Sequence, residues 1–342
     1  MTDAIETRQW IYARRPSGRV GREHYDLVTS TLPLDIAAGE VMLEARWFSV
    51  DPYMRIQQAE RDTYDVPHPL GIAQRGGVVG QVIRSRDARF AAGDWVASYT
   101  GWQTVAIAHG DALTRLDPDE APVTTALGVL GMPGRTAWFG LMEAGRPKPG
   151  ETLVVSGAAG AVGSLVVQFG LKAGCRVVGI AGGEAKCRYL TERLGAHAAI
   201  DYKAHRELAS LADAVYAACP GGVDVYFDNV GGDITDVVIA QIARRARIVI
   251  CGQISQYDGG LDAPPQGPRL LAHMLYQRAT IQGILARDYT ARMDEMRRII
   301  APWVKAGEVV LPETIAEGFE QLPEALGSLF EGANLGKLLV RA

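Results

Sequence analysis

Hydrophobic positions in the first 125 residues come in short runs, not in helical windows. The stretches 40–50, 76–83, 95–99 and 104–108 are rich in β-branched and aromatic side chains, and turn residues such as Ala92-Gly93-Asp94 bound them. Runs of this kind read as strands, and closely spaced strands without long helical windows predict a barrel or sandwich. Near residue 130 the rhythm changes. The apolar run Thr152–Ser156 predicts a buried strand and Val162–Lys172 a helix, followed by a strand at Arg176–Ile180 and a helix through Lys186 to Leu194. Asp224–Asp228 and Arg247–Cys251 continue the strands. Strands alternating with helices imply βαβ units and a parallel sheet. Residues 305–342 return to strand-and-turn texture, and Gly336–Arg341 is expected to rejoin the first domain. The expected organisation is therefore 1–125, 126–304 and a returning 305–342.

Composition narrows the class. At 342 residues, 48% hydrophobic and 22% charged, the chain has the usage of an ordinary soluble protein of about two domains. Thirty-five basic against 39 acidic side chains leave a net charge of −4 without a basic block, which gives no case for nucleic acid or an anionic membrane. Cys175, Cys187, Cys219 and Cys251 match neither a disulfide framework nor zinc-ligand spacing, and free thiols fit a reducing cytoplasm. No apolar run approaches the ~20 residues of a membrane span, and the N-terminus lacks the apolar core of a secretory signal.

The sharpest local feature is 152–163, a strand run into Gly157-Ala-Ala-Gly160-Ala161-Val162-Gly163. A strand feeding a small-residue turn and a helix offers free N–H groups and a positive dipole end to a pyrophosphate. The glycine spacing departs from G-x-G-x-x-G, and a turn needed only for packing is the alternative. An NAD-selective site usually carries an acid about 20 residues on. Here the second strand ends in Ala181-Gly182-Gly183. That leaves room for a 2′-phosphate, with Lys186 and Arg188 available to neutralise it, so NADP(H) is expected over NAD(H). Glu184 disturbs this reading unless it serves the start of the next helix; Lys186 could equally be a solvated helix lysine.

With that loop in place, several ordered motifs carry a resemblance. They are Val50-Asp-Pro-Tyr-Met-Arg55, Gly131–Ala137, Ala158–Gly163, Tyr226–Gly232, Cys251–Tyr257 and Asn334-Leu-Gly-Lys337. Together they resemble the zinc-independent medium-chain dehydrogenases/reductases, in particular the leukotriene hydroxydehydrogenase, prostaglandin reductase and curcumin or alkenal double-bond reductase family. The resemblance implies an α/β protein: a GroES-like β-barrel domain and a Rossmann doubly wound parallel-sheet domain, with the site in the cleft between them and a homodimer as the common assembly. It implies that Gly160, Ala161, Val162 and Gly163 hold the pyrophosphate, and that Gly183, Lys186 and Tyr202 surround the 2′-phosphate. Asn229, Cys251, Gly252, Ile254, Ser255, Tyr257 and Asn334 would line the nicotinamide side. Where relatives often read Gly-Phe-(Ile/Val)-Val against cofactor and substrate, this chain has Gly283-Ile284-Leu285-Ala286, which puts the cofactor–substrate wall there in doubt and would enlarge the pocket.

Zinc alcohol dehydrogenases of the same superfamily need a Cys/His/Glu ligand set. No cysteine precedes Cys175 and His68 stands alone, so no metal is expected. An enone suits a metal-free site, because hydride adds to the β-carbon while donors stabilise the developing enolate and a tyrosine or water protonates the α-carbon. Tyr257 is the candidate donor; Tyr53 and Arg55, in a Pro-containing turn, are candidates to orient a small enone or enal substrate, with Tyr276 behind them. Each tyrosine could instead be an interfacial side chain with a satisfied hydroxyl, and Arg55 a structural partner. The expected activity is NADPH-dependent reduction of the enone C=C bond. A quinone reductase and a catalytically silent NADPH-binding protein are the rivals.

Overall fold

The computed structural model describes residues 3–61, 63–258, 263 and 265–342. Contacts divide the chain into two units: Met1–Leu127 with Glu313–Asn334 and Leu338–Ala342, and Gly128–Pro312 with Leu335–Lys337. The first unit is β-rich and antiparallel. Ala4–Tyr12 pairs with Tyr25–Pro33 along its whole length, from Ala4 opposite Pro33 to Tyr12 opposite Tyr25. A larger sheet runs through Glu313–Glu317, Lys337–Arg341, Glu40–Ser49, Val78–Ser85, Trp95–Ser98 and Thr114–Leu116, with Val105–His109 also on Glu40–Ser49. Alternation places Trp10 and Tyr12 on one face of their strand, where they join Phe48, Met54, Trp102 and Phe319 in a core that water does not reach. Full burial of such side chains is worth roughly 1.5–3 kcal/mol each.

The second unit carries six parallel strands: β1 (Thr152–Ser156), β2 (Arg176–Ala181), β3 (Ala198–Asp201), β4 (Val223–Asp228), β5 (Ile242–Ile250) and β6 (Thr280–Gly283). Their order in the sheet is β3-β2-β1-β4-β5-β6, the doubly wound order whose switch point lies between β1 and β4. All five residues of β1 are buried, as a central strand covered on both faces requires. The helix Gly163–Lys172 lies close against it, because a side chain at Gly170 would meet Leu153 Cδ2 at 2.3 Å. The helix expected from Lys186 to Leu194 is shorter and starts earlier, at Glu184–Arg188, and passes into a π turn at Tyr189–Arg193.

The chain returns to the β-rich unit at Glu313, later than the expected 305. The helix Met293–Lys305 crosses that position, and the Gln168 side chain bonds both the carbonyl of Val310 (3.0 Å) and its N–H (2.7 Å), which ties 305–312 to the sheet unit. Among the described residues, no helix is long and apolar enough to cross a membrane.

Candidate functional site

The glycine turn occupies the carboxyl end of β1. Gly157 has φ +58, a conformation glycine adopts without strain. A Cβ on Gly163 would sit 2.3 Å from the Gly157 carbonyl oxygen and 2.8 Å from Ala158 Cα, so only glycine lets the helix start this close to the strand. Gly160 N–H closes the turn onto Gly157 O at 3.0 Å. The N–H groups of Val162 and Gly163 donate to no acceptor among the described residues, whereas that of Ala161 lies in the parallel bridge between Gly160 and Gly336. Two free donors at a helix start form a cradle for an anion. The Gly336 N–H braces the turn from the far end of the chain, donating to Ala159 O at 2.7 Å.

A second polar corner lies at the ends of β2 and β3, where Ala181 pairs with Asp201. Asp201 Oδ1 accepts from Gly183 N–H at 2.7 Å and Lys203 N–H at 3.0 Å, fixing the two strand ends together. Lys186 is half-buried, and that burial, together with the charge of Lys203, holds its ammonium below the ordinary lysine range. Glu184 is exposed and 3.8 Å from Arg188 in an i,i+4 pair. The acid that disturbed the reading of this corner thus lies beside Arg188, one of the two cations expected at the 2′-phosphate, on the helix surface.

The third group sits at the switch point. Asp228 is fully buried. Its Oδ1 accepts from Ser156 Oγ (2.8 Å), Tyr226 OH (2.9 Å) and the N–H groups of Val230 and Gly231 (3.0 Å each), and Oδ2 accepts from Thr235 Oγ1. Sequence reasoning missed this hub; the polar Asp228 closing the apolar run of β4 was the available signal. Asn229 Nδ2 donates to Ser156 O at 2.7 Å, bridging the tips of β1 and β4. The 251–257 loop is laced to the same turn: Cys251 and Gly252 N–H donate to Asp228 O, Ile254 N–H to Asn229 O, and Ser255 Oγ to Val230 O at 2.6 Å. Burial pushes the Cys251 thiol up to about 12, so it stays neutral. Tyr257, in the short helix Ile254–Tyr257, accepts a hydrogen bond from Gln253 N–H at 2.9 Å. Burial raises its hydroxyl to about 12, partly offset by that bond. It therefore keeps its proton at neutral pH, and among the described residues it donates to no acceptor.

Residues 8–116 match a family described as the N-terminal domain of oxidoreductase, and residues 161–301 one described as zinc-binding dehydrogenase. The NADPH-dependent curcumin reductase of Escherichia coli (strain K12) is 40% identical over 341 residues, spanning 98% of this chain and 96% of that protein. Prostaglandin reductase 1 of Mus musculus is 38% identical over 342 residues, 99% of this chain and all of that one. The crystal structure of CurA in complex with NADPH from Vibrio vulnificus has a TM-score of 0.91 at 40% identity and covers 98% of this chain and 99% of its own. The chain belongs to the zinc-independent medium-chain dehydrogenase/reductase family. The word zinc in the second description extends to metal-containing members; this member has no cysteine before Cys175 with which to build their thiolate ligand.

The other candidates of this family member fall elsewhere. Tyr53 and Arg55 lie in a one-turn helix, Tyr53–Gln57, in place of the turn expected there. The Tyr53 hydroxyl is 2.6 Å from that of Tyr99, and burial raises it well above the ordinary range. Arg55 is 4% exposed and donates to the carbonyls of Gly18 (2.9 and 3.2 Å) and Pro16 (3.4 Å). It clamps the 16–18 loop, in keeping with the structural role that was the alternative for it. Ile284 is buried, its Cδ1 filling the space a side chain at Gly140 would need. It serves as core packing, whereas Leu285 and Ala286 are half-buried. Asn334 is half-buried and directly precedes the Leu335–Lys337 stretch of the sheet unit. Tyr276 is 76% exposed on the helix Leu271–Gln277.

Proposed function

We propose that the protein is an NADPH-dependent oxidoreductase that reduces the C=C bond of α,β-unsaturated ketones and aldehydes. The observation that carries the reading is the Tyr257 hydroxyl: neutral, half-buried, anchored through one lone pair by Gln253 N–H, and with its own proton undonated. The likeness to a curcumin reductase and a prostaglandin reductase supports the same class. The residues present fit an NADP(H) cofactor. The N–H groups of Val162 and Gly163 receive its pyrophosphate, with Gly160 and Ala161 alongside, and Gly183, Lys186 and Tyr202 surround its 2′-phosphate. Asn229 and the loop Cys251, Gly252, Ile254, Ser255, Tyr257 face its nicotinamide end, with Leu285, Ala286 and Asn334 as further contacts and Ile284 behind them. When bound, NADPH supplies the hydride that adds to the substrate's β-carbon. Tyr257 donates to the carbonyl oxygen as negative charge develops there, and the α-carbon is protonated by Tyr257 or water. Tyr53 is the further residue we assign to orienting the substrate.

A homodimer goes with this reading. Among the described residues strand β6 pairs on one side only and its four residues are exposed, as are Leu271, Leu275 and Tyr276 on the helix that precedes it. Such an edge is a template for a second copy.

The activity is tested with NADPH and a panel of enones, quinones and saturated carbonyls. The expected result is enone turnover with deuterium from 4-deuterated NADPH at the β-carbon. Quinone turnover without enone turnover, or NADPH binding with neither, overturns the proposal.

A further inference from the structure

The corner at the ends of β2 and β3 holds a cation that neither the motifs nor the family resemblance singled out. Pairing of Ala181 with Asp201 sets residues 182–183 and 202–203 side by side just beyond the last paired positions. Gly182 makes the contact. A Cβ there would lie 2.9 Å from Lys203 Cε and 2.9 Å from Tyr202 Cε1, so the lysine stem and the tyrosine ring both rest on Gly182 because it has no side chain. Lys203 is exposed and forms no ion pair among the described residues. The nearby carboxylate of Asp201 is occupied by two backbone N–H groups, one of them that of Lys203 itself.

We propose that Lys203 is a second cationic contact for the 2′-phosphate of NADP(H), so that Lys186 and Lys203 approach that group from the ends of two neighbouring strands with Tyr202 between them. The proposal rests on the NADP(H) reading of this corner. Burial is the main cause of the depressed Lys186 ammonium, and the charge of Lys203 adds to it, so the two cations repel each other at this corner. A phosphate dianion relieves that repulsion, whereas the bare hydroxyl of NADH does not. Lys203 thus discriminates between the cofactors as well as strengthening binding.

The test is a fluorescence titration of the full-length protein with NADPH and with NADH, and displacement by 2′,5′-ADP and by 5′-ADP. Lys203→Met keeps most of the stem and removes the charge. It is expected to weaken NADPH and 2′,5′-ADP by roughly tenfold, the effect of a charge-assisted contact, and to leave NADH and 5′-ADP unchanged. Lys203→Arg should retain most of the affinity for the phosphorylated ligands, and the salt dependence of NADPH binding should be shallower in Lys203→Met than in the parent. Lys186→Met is titrated in parallel. If it weakens NADPH selectively while Lys203→Met does not, the proposal is overturned and the NADP(H) reading of the corner stands. If neither substitution matters, both fall. Equal weakening of NADPH and NADH by Lys203→Met also overturns the proposal, because Lys203 would then only support the strand ends.

Discussion

The sheet unit and the β-rich unit spend their buried polar groups differently. In the sheet unit, polar groups converge at the strand ends: one carboxylate, Asp228, gathers three hydroxyls and two N–H groups, and the loops it fixes carry Asn229 and Tyr257 outward. In the β-rich unit they turn inward. Arg55 holds the 16–18 loop, Gln58 donates to Gln74 and Tyr25, and His68 stacks on Tyr12 with ring centroids 5.5 Å apart. Buried polarity at the ends of parallel strands therefore points to chemistry here, while the same residue types inside an antiparallel core point to scaffold.

The sharpest way to break this contrast is at its hub. Asp228→Ala would leave the hydroxyls of Ser156, Tyr226 and Thr235 and the N–H groups of Val230 and Gly231 without their acceptor. Orphaning a buried donor costs about 1–3 kcal/mol. Urea denaturation should show a loss of about 3 kcal/mol or more once several are orphaned, and NADPH titration a loss of binding. Asp228→Asn, which keeps an acceptor, should fall between. A stability within about 1 kcal/mol of the parent would mean that water replaces the carboxylate and that the hub organises little.

The β-rich unit has its own weak point. Burial, the main cause, lowers the His68 imidazole from 6.5 to about 4, and the side chain is 2% exposed. The folded state therefore keeps His68 neutral, while the unfolded chain takes up a proton below 6.5. The unfolded state binds more protons between those values, so this contribution is complete above pH 6.5 and is lost as pH falls toward 4. The full loss is about 3 kcal/mol. Urea midpoints at pH 7 and pH 4.5 should separate in the parent and draw together in His68→Phe, which retains a ring against Tyr12. An equal separation in both proteins would assign the effect to carboxylates instead.

Legibility followed the same division. β1 was read to the residue because a central parallel strand is apolar throughout, and the glycine turn because its steric demand leaves a compositional trace. Ala4–Tyr12 and Tyr25–Pro33 gave no comparable signal. The exposed face of Tyr25–Pro33 mixes Thr, Ser and Asp with Leu27 and Val28, and pairing between strands supplies a regularity that sequence alternation lacks. β6 was hidden for a related reason, since an exposed edge strand of four residues has no buried pattern. Among site residues, Tyr257 was accessible through its motif, Asp228 left only the trace of a polar residue closing the apolar run of β4, and Lys203 became visible only through its contact with Gly182. The inward turn of Arg55 depends on the carbonyls of Pro16 and Gly18, which no local pattern connects to it.

Tyr257 and Tyr53 compare the units directly in catalysis. Tyr257→Phe removes the one undonated hydroxyl proton of the 251–257 loop and is expected to lower kcat roughly 10²-fold with NADPH affinity nearly unchanged. Tyr53→Phe should cost less, because its hydroxyl already shares a hydrogen bond with Tyr99 at 2.6 Å. Stopped-flow hydride transfer and steady-state rates on one enone decide the order. A larger loss at Tyr53 would move the proton-donating role to the β-rich unit, and full activity in both would leave backbone donors as the stabilisers of the enolate.

The smallest effect on activity is expected at the open edge of the sheet unit. Ile281 pairs with Ile248 on one side and is 46% exposed, and Leu275 on the neighbouring helix is 70% exposed. If a second copy covers them, a charge on each should oppose association without touching the glycine turn or the 251–257 loop, since inward charges on an edge strand disfavour edge-to-edge pairing. The double variant Leu275→Lys, Ile281→Lys is therefore expected to sediment with the mass of one chain where the parent sediments with twice that mass, while NADPH affinity changes by no more than about twofold, as for sites without shared partners. A parent that sediments as a single chain would overturn the dimer. A variant that stays dimeric would place the interface on the β-rich unit, and the contrast drawn between the units would then extend to assembly: the sheet would hold the cofactor and its neighbour the second copy.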